Sequence, residues 1–403
     1  MASAPMRFLF SVQPAAGHLQ PIAPVARELR RRGHDVRLAT TPSFCGAARA
    51  HGLDAIPIGI DWSRANPEVA FPELAAVDPT ARYEWILRNV YAGRAARRTT
   101  AEMIGALADW RPDLVVRDQM EFGSLLAAEL AGIPHASYGY GQGLLAADRR
   151  LAGAALEPLR AELGLEPDPR LDSAFRFLRL EFAPRDYLAP GAPREPNTHH
   201  LRPEGADDRR GRGLPPGIAE LGSPLVVVTL GNNYNRTPGL FETAISALAD
   251  EPYDVVLTVG ENRDPADLGP LPHNLRAVRY APLSLLLPRA DLTVCHAGFN
   301  TVMSAVAAGT PLVLVPLDSD QPAQARRCAE LGLGRVVEPE AITTELLRRE
   351  VRAVLADRDY GRATAAFGAQ LAALPPTAHG AGLLEELAAA PARARRAPRP
   401  ALV

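Results

Sequence analysis

The chain has 403 residues, 47% hydrophobic and 22% charged, which is ordinary for a globular protein and enough for two cores of about 200 residues each. Its formal net charge is −2, with every positive charge on Arg, so no basic excess points to nucleic acid. The 3 cysteines, Cys45, Cys295 and Cys328, are scattered and form neither metal-ligand spacing nor a disulfide framework; with no secretory pattern at Met1–Arg7 and no apolar run near the roughly 20 residues of a membrane span, a cytoplasmic location is expected.

Phe8 to Val12 is a short apolar run that stops at Gln13-Pro14-Ala15-Ala16-Gly17-His18. Ile22, Val25, Ala26 and Leu29 follow at helical spacing and end at Gly33, and Val36 to Ala39 resumes as a strand. The chain therefore opens with a βαβ unit and a parallel sheet. Leu114 to Val116 predicts a buried strand ending at Asp118, Gly123 to Ala131 a helix and Ile133 to Ser137 another strand. Residues 61–110 break the alternation with Trp62, Phe71, Tyr83, Trp85 and Tyr91 among prolines and charges, which reads either as a binding excursion of the kind found on α/β scaffolds or as a helical cover for the sheet.

Pro190 to Gly222 is rich in Pro, Gly, Arg and Asp and reads as the interdomain connection. Strands are then predicted at Leu225 to Leu230, Val255 to Val259, Leu292 to Cys295 and Leu312 to Val315, with helical patterns between them. The expected layout is an N-terminal domain over 1–200, a linker over 201–222, a C-terminal domain over 223–390 whose last helix packs back on the first domain, and a disordered tail over 391–403. Ligands of open parallel sheets bind beyond the carboxyl ends of the strands.

Two places fit that rule. His296-Ala297-Gly298-Phe299-Asn300-Thr301 lies between a strand and a helix expected to start near Val302, where free N–H groups suit a phosphate. In the first half, Gly17-His18-Leu19-Gln20-Pro21 follows the first strand. A His there can take a proton from a hydroxyl nucleophile if a carboxylate orients its other nitrogen; Asp118 is the best candidate and Glu121 an alternative.

The phosphate segment resembles the donor-binding signature of the nucleotide-sugar-dependent, family-one glycosyltransferases, and the agreement spans roughly 279–334. Tyr280-Ala281-Pro282 stands where that family has an aromatic residue and Pro beside the nucleobase, Ala307-Ala308-Gly309-Thr310-Pro311 matches its small-small-Gly-x-Pro turn, and Asp320-Gln321 its sugar-binding pair. The resemblance implies an α/β fold of GT-B type, two Rossmann-like doubly wound sheets facing a central cleft, in an inverting, metal-independent enzyme that works on natural products. It places the diphosphate on His296, Ala297, Gly298, Asn300 and Thr301, with Gly231 and Asn232 flanking it. It sets Tyr280 and Pro282 by the base, Asp320 and Gln321 on the sugar, and His18 with Asp118 as the base pair.

Many relatives carry Glu where this chain has Ser304, and that Glu bonds the ribose hydroxyls. Ser there suits a deoxyribose, hence a thymidine diphosphate sugar. Trp62, Phe71, Trp85 and Tyr138 are expected to line an apolar pocket for a polyketide-like aglycone. The expected partners are this aglycone, the nucleotide-sugar donor as co-substrate with no resident cofactor, and a second copy of the chain in a homodimer. Two alternatives stay open: a silent nucleotide-sugar-binding helper of a partner transferase, and a nucleotide-sugar epimerase on the same scaffold. A dinucleotide dehydrogenase is disfavoured, because no Gly-x-Gly-x-x-Gly follows the first strand.

Overall fold

The computed structural model describes residues 4–63, 66–193, 195–204, 213–231 and 235–390. The chain divides into two compact units, Met1–Glu204 with Pro375–Val403, and Gly205–Leu374. The 391–403 tail lies outside the described residues. No helix among the described residues is long and apolar enough to cross a membrane.

The first unit is built on seven parallel strands: β1 (Arg7–Ser11), β2 (Asp35–Thr40), β3 (Asp54–Pro57), β4 (Leu114–Asp118), β5 (His135–Gly139), β6 (Leu178–Glu181) and β7 (Thr198–His200). Their order is β3-β2-β1-β4-β5-β6-β7. Strands covered by helices on both faces read as apolar runs rather than alternating ones. So Phe8 pairs with Leu114 and Phe10 with Val116, all four fully buried. The order reverses between β1 and β4, and the crevice of such a sheet opens there. The helix Ala16–Arg31 that leaves β1 buries Leu19, Ile22, Val25, Ala26 and Leu29.

One expectation is corrected here. The Pro190–Gly222 stretch contains β7, an edge strand in register with β6 through Leu180 and His199. Residues 61–110 are largely helical: Pro67–Ala70, Arg82–Ile86, a wide-turned segment Leu87–Ala95 broken at Gly93, and Ala96–Trp110. This stretch buries Trp62, Phe71 and Tyr91, leaves Trp85 half-buried and leaves Tyr83 exposed.

The second unit holds six parallel strands: β8 (Leu225–Thr229), β9 (Asp254–Thr258), β10 (Leu275–Val278), β11 (Leu292–Cys295), β12 (Leu312–Leu314) and β13 (Gly334–Val336). Their order, β10-β9-β8-β11-β12-β13, reverses between β8 and β11. Val226, Val228, Val255, Leu257, Leu292, Val294 and Val313 form the core against the helices Leu240–Leu248 and Thr344–Ala356.

The helix Thr377–Ala389 belongs to the first unit. Glu385 accepts from Arg32 Nη1 at 2.8 Å and meets His34 Nε2 at 2.7 Å, while Arg32 Nη2 donates to the Ala378 carbonyl at 2.7 Å.

A close backbone approach fixes β13. A Cβ on Gly334 would stand 2.0 Å from the carbonyl oxygen of its register partner Leu312. Gly334→Ala is expected to destabilise the second unit by about 2 kcal/mol through overpacking against backbone, seen in calorimetry as a lowered transition for that unit alone.

Candidate active site

The switch point of the first sheet positions the first cluster. β1 is followed by Val12-Gln13-Pro14-Ala15, and the helix begins at Ala16, so His18 sits in the first helical turn rather than in the loop. β4, on the other side of the switch, ends on Asp118. His18 is 7% exposed and Asp118 fully buried. A buried carboxylate is costly unless hydrogen bonds replace its water.

Asp118 has four donors. Oδ2 takes His18 Nδ1 and, at 3.4 Å, the Gln13 amide; Oδ1 takes the Met120 amide at 2.8 Å and the Tyr140 hydroxyl at 3.2 Å. Burial pushes this carboxyl up, but the charge and hydrogen bond of His18, with the Met120 and Tyr140 bonds, outweigh it and hold it below the usual carboxylate range. Asp118 is therefore an ionised acceptor at neutral pH. Nδ1 of His18 is engaged, and Nε2 has no hydrogen-bond partner among the described residues.

Glu121, the alternative orienter, does other work. It accepts from Ser11 Oγ at 2.9 Å, the Gly123 amide at 3.0 Å and the Ser124 amide at 2.9 Å, which caps the helix Gly123–Ala131. A small opening lies beside it at the carboxyl ends of β1, β2 and β3, lined among others by Ser11, Gln13, Thr41, Ile58, Ala95 and Thr99.

The aromatics expected around an acceptor are placed differently. Phe71 is 2% exposed and Trp62 9%; Trp62 meets Phe71 edge-on at 5.8 Å and Tyr91 at 5.3 Å within the hydrophobic core. Trp85 packs against that core, with the Arg94 guanidinium 6.0 Å from its ring. Tyr138 is fully buried and its hydroxyl donates to the His18 carbonyl at 2.9 Å. Tyr138, in register with Asp118, thus braces the helix from a fully buried position. None of the four lines the small opening beside Glu121.

The second cluster lies at the carboxyl ends of β8, β10, β11 and β12. Gly231 follows β8 with φ 63°. Asn232 lies outside the described residues. After β11 the chain turns through His296, Ala297 and Gly298, and the helix runs Phe299–Ala307, three residues earlier at its start than periodicity suggested. Apolar spacing marks only where a face is buried, and Gly298, extended at the N-cap, opens the helix before that face begins. Ala297 holds φ 61°, a left-handed conformation rare outside Gly, and this reverses the chain. The Val302 amide donates to the Gly298 carbonyl at 3.0 Å, which closes the first turn of the helix. Thr301 is 9% exposed and Asn300 and Ser304 are half-buried. Ser304 lies on the face of Asn300, one turn on.

His296 is clamped between two glycines. A Cβ on Gly298 would stand 2.5 Å from its Nε2, and one on Gly231 3.0 Å from its Cε1. Burial pushes its pKa down to about 4, against a Thr229 backbone hydrogen bond and the Asp320 charge. The imidazole is therefore neutral at pH 7, with its hydrogen bond made to the Thr229 backbone.

Tyr280 is half-buried and Pro282 buried beyond β10. Asp320 is exposed and its Oδ2 accepts from Gln324 at 3.1 Å. Gln321 is buried and its Oε1 accepts the Leu317 and Asp318 amides at 2.8 and 3.2 Å.

With this geometry described, relatives can be set beside it. Residues 27–175 match the family described as erythromycin biosynthesis protein CIII-like, N-terminal domain, and residues 242–387 its C-terminal domain. A demethyllactenocin mycarosyltransferase of Streptomyces fradiae is 32% identical over 86% of this chain and 79% of its own length. The crystal structure of the glycosyltransferase VinC in complex with dTDP superposes with a TM-score of 0.77 at 27% identity, covering 95% of this chain and 99% of VinC. The calicheamicin glycosyltransferase CalG4 gives 0.80 at 27% identity, covering 98% and 100%.

The clamped imidazole has a measurable consequence. Its folded pKa, about 4, lies below the unfolded value near 6.5, so between these the unfolded chain binds more protons and stability rises with pH. The second unit is expected to gain roughly 3 kcal/mol from His296 on going from pH 4 to pH 7. His296→Gln removes that part of the slope, which calorimetry of both proteins across the window will read.

Proposed function

This chain belongs to the erythromycin biosynthesis protein CIII-like family of glycosyltransferases, two parallel-sheet α/β domains of GT-B type, and on that premise we propose that it transfers a sugar, with inversion, from a thymidine diphosphate donor to a small hydrophobic natural-product aglycone. The observation that carries the reading is the His18 ring pinned through Nδ1 by an ionised, buried Asp118, with Nε2 left for a substrate.

In this reading the acceptor hydroxyl gives its proton to His18 Nε2 as its oxygen bonds to the anomeric carbon. The bond from that carbon to the diphosphate oxygen breaks on the opposite face, so the configuration inverts. Asp118 stabilises the imidazolium that forms, and general-base help of this kind contributes roughly 10²–10⁴-fold. The departing diphosphate gathers on the helix N-terminus at Phe299–Thr301, beside neutral His296. Asn300, Thr301 and Gly231 complete the phosphate site, Tyr280 and Pro282 border the base, and Asp320 with the Gln321 amide reads the sugar hydroxyls. The nucleotide sugar is a co-substrate and no resident cofactor takes part. The thymidine preference rests on Ser304 and is supported by the dTDP held by VinC.

Two experiments test this. With thymidine diphosphate glucose and demethyllactenocin or other hydrophobic polyols as acceptors, His18→Ala is expected to bind thymidine diphosphate as the wild type does and to lose at least about a hundredfold in turnover; wild-type turnover would remove His18 as the base. In titration calorimetry, thymidine diphosphate is expected to bind more tightly than uridine diphosphate, and Ser304→Glu to weaken thymidine diphosphate about tenfold by leaving a carboxylate without its hydroxyl partner. Equal or tighter uridine binding by the wild type would overturn the donor assignment.

A further inference from the structure

We propose that Tyr140 is a positioning residue of the base, holding the His18 ring and the Asp118 carboxylate together as a three-member assembly. The inference rests on the reading of His18 as the base.

The placement follows from the sheet. Asp118 of β4 is in register with Tyr138 of β5. Tyr138 and Tyr140, two residues apart, share one face of the strand line. Both hydroxyls reach the helix that carries His18: Tyr138 takes its backbone carbonyl at 2.9 Å, and Tyr140 lies 2.5 Å from Nδ1. Gly139 between them points to the other face, which is filled. A Cβ there would stand 2.1 Å from Arg179 Nη2 and 2.2 Å from Glu181 Oε2, two atoms of a buried ion pair 2.6 Å apart. The Tyr-Gly-Tyr order is thus set by one face holding tyrosines and the opposite face holding the Arg179–Glu181 pair.

The hydrogen-bond roles are limited by chemistry. Ionised Asp118 only accepts, so the proton between it and His18 is on Nδ1. That N–H is within reach of both Asp118 Oδ2 and the Tyr140 oxygen. Tyr140 accepts from it and sends its own proton to Asp118 Oδ1 at 3.2 Å, closing a triangle. The opposite arrangement, with Tyr140 donating to a bare Nδ1, would set a lone pair against the carboxylate and protonate Nε2, the nitrogen that must be free to act as base. Tyr140 is 8% exposed and its ring lies 4.8 Å from the His18 ring, so water does not readily replace the hydroxyl.

Tyr140→Phe keeps the ring packing and removes only the oxygen. In the full chain labelled with [15N]histidine and free of ligand, His18→Ala identifies the His18 signals. Wild-type His18 is expected as a single Nδ1–H tautomer with a slowly exchanging proton. In Tyr140→Phe that proton exchanges with water at least about tenfold faster, and kcat falls about tenfold at an unchanged donor KM. The double variant His18→Ala/Tyr140→Phe is no slower than His18→Ala, because Tyr140 acts through His18. Exchange and kcat like those of the wild type in Tyr140→Phe would overturn the proposal, as would a further tenfold loss in the double variant, which would place Tyr140 on the substrate. Wild-type turnover in His18→Ala strikes the base assignment instead, so the two failures are told apart.

Discussion

A carboxylate that has left water must be held by donors from the protein, and in the first unit that requirement organises everything near the switch of strand order. Asp118 is fully buried at the end of β4 and collects its four donors from the segment after β1, the first turn of the following helix, the residue two beyond itself, and the end of β5. Each of those segments is where it is because β1, β4 and β5 are adjacent and parallel. The sheet thus does more than bury apolar area. It sets the register at which an imidazole meets an anion, and that contact fixes which ring nitrogen faces outward.

The second unit uses the same topological position for a different electrostatic purpose. Its turn after β11 presents helix amides, a neutral imidazole and a half-buried Asn, with glycines where a side chain would collide with the ring. Both units place a histidine beside a switch point, but their environments separate them. His18 is paired with an anion, whereas His296 is buried mainly against glycine and held neutral. The first arrangement suits proton transfer, whereas the second keeps a buried ring uncharged beside a helix N-terminus.

Much of this was legible in the sequence, and the exceptions have physical causes. Runs such as Leu225–Thr229 and Leu114–Asp118 are buried on both faces and announce themselves by composition. β6 does not: Leu-Arg-Leu-Glu looks like an exposed alternation, because its two charges neutralise each other inside the sheet. β7 has only three residues and sits among prolines. His18 and Asp118 could be paired from their places after strands, yet Tyr140 could not, since its role depends on a register across β4 and β5 that spacing does not reveal. Aromatic clustering over 62–91 did not report burial residue by residue: Trp62 and Phe71 pack on each other in the core, whereas Tyr83 is exposed. The neutrality of His296 depends on how completely the fold encloses it, and no residue type encodes that.

The central claim is that the Asp118 carboxylate makes His18 a base, and Asp118→Asn tests it most directly, because the amide keeps the shape and some of the hydrogen bonds while removing the charge that fixes the Nδ1 proton. The measurement is kcat for sugar transfer alongside thymidine diphosphate affinity in the same preparation. The expected result is a fall in kcat of at least about a hundredfold with nucleotide affinity unchanged; turnover within about threefold of the wild type would contradict the account.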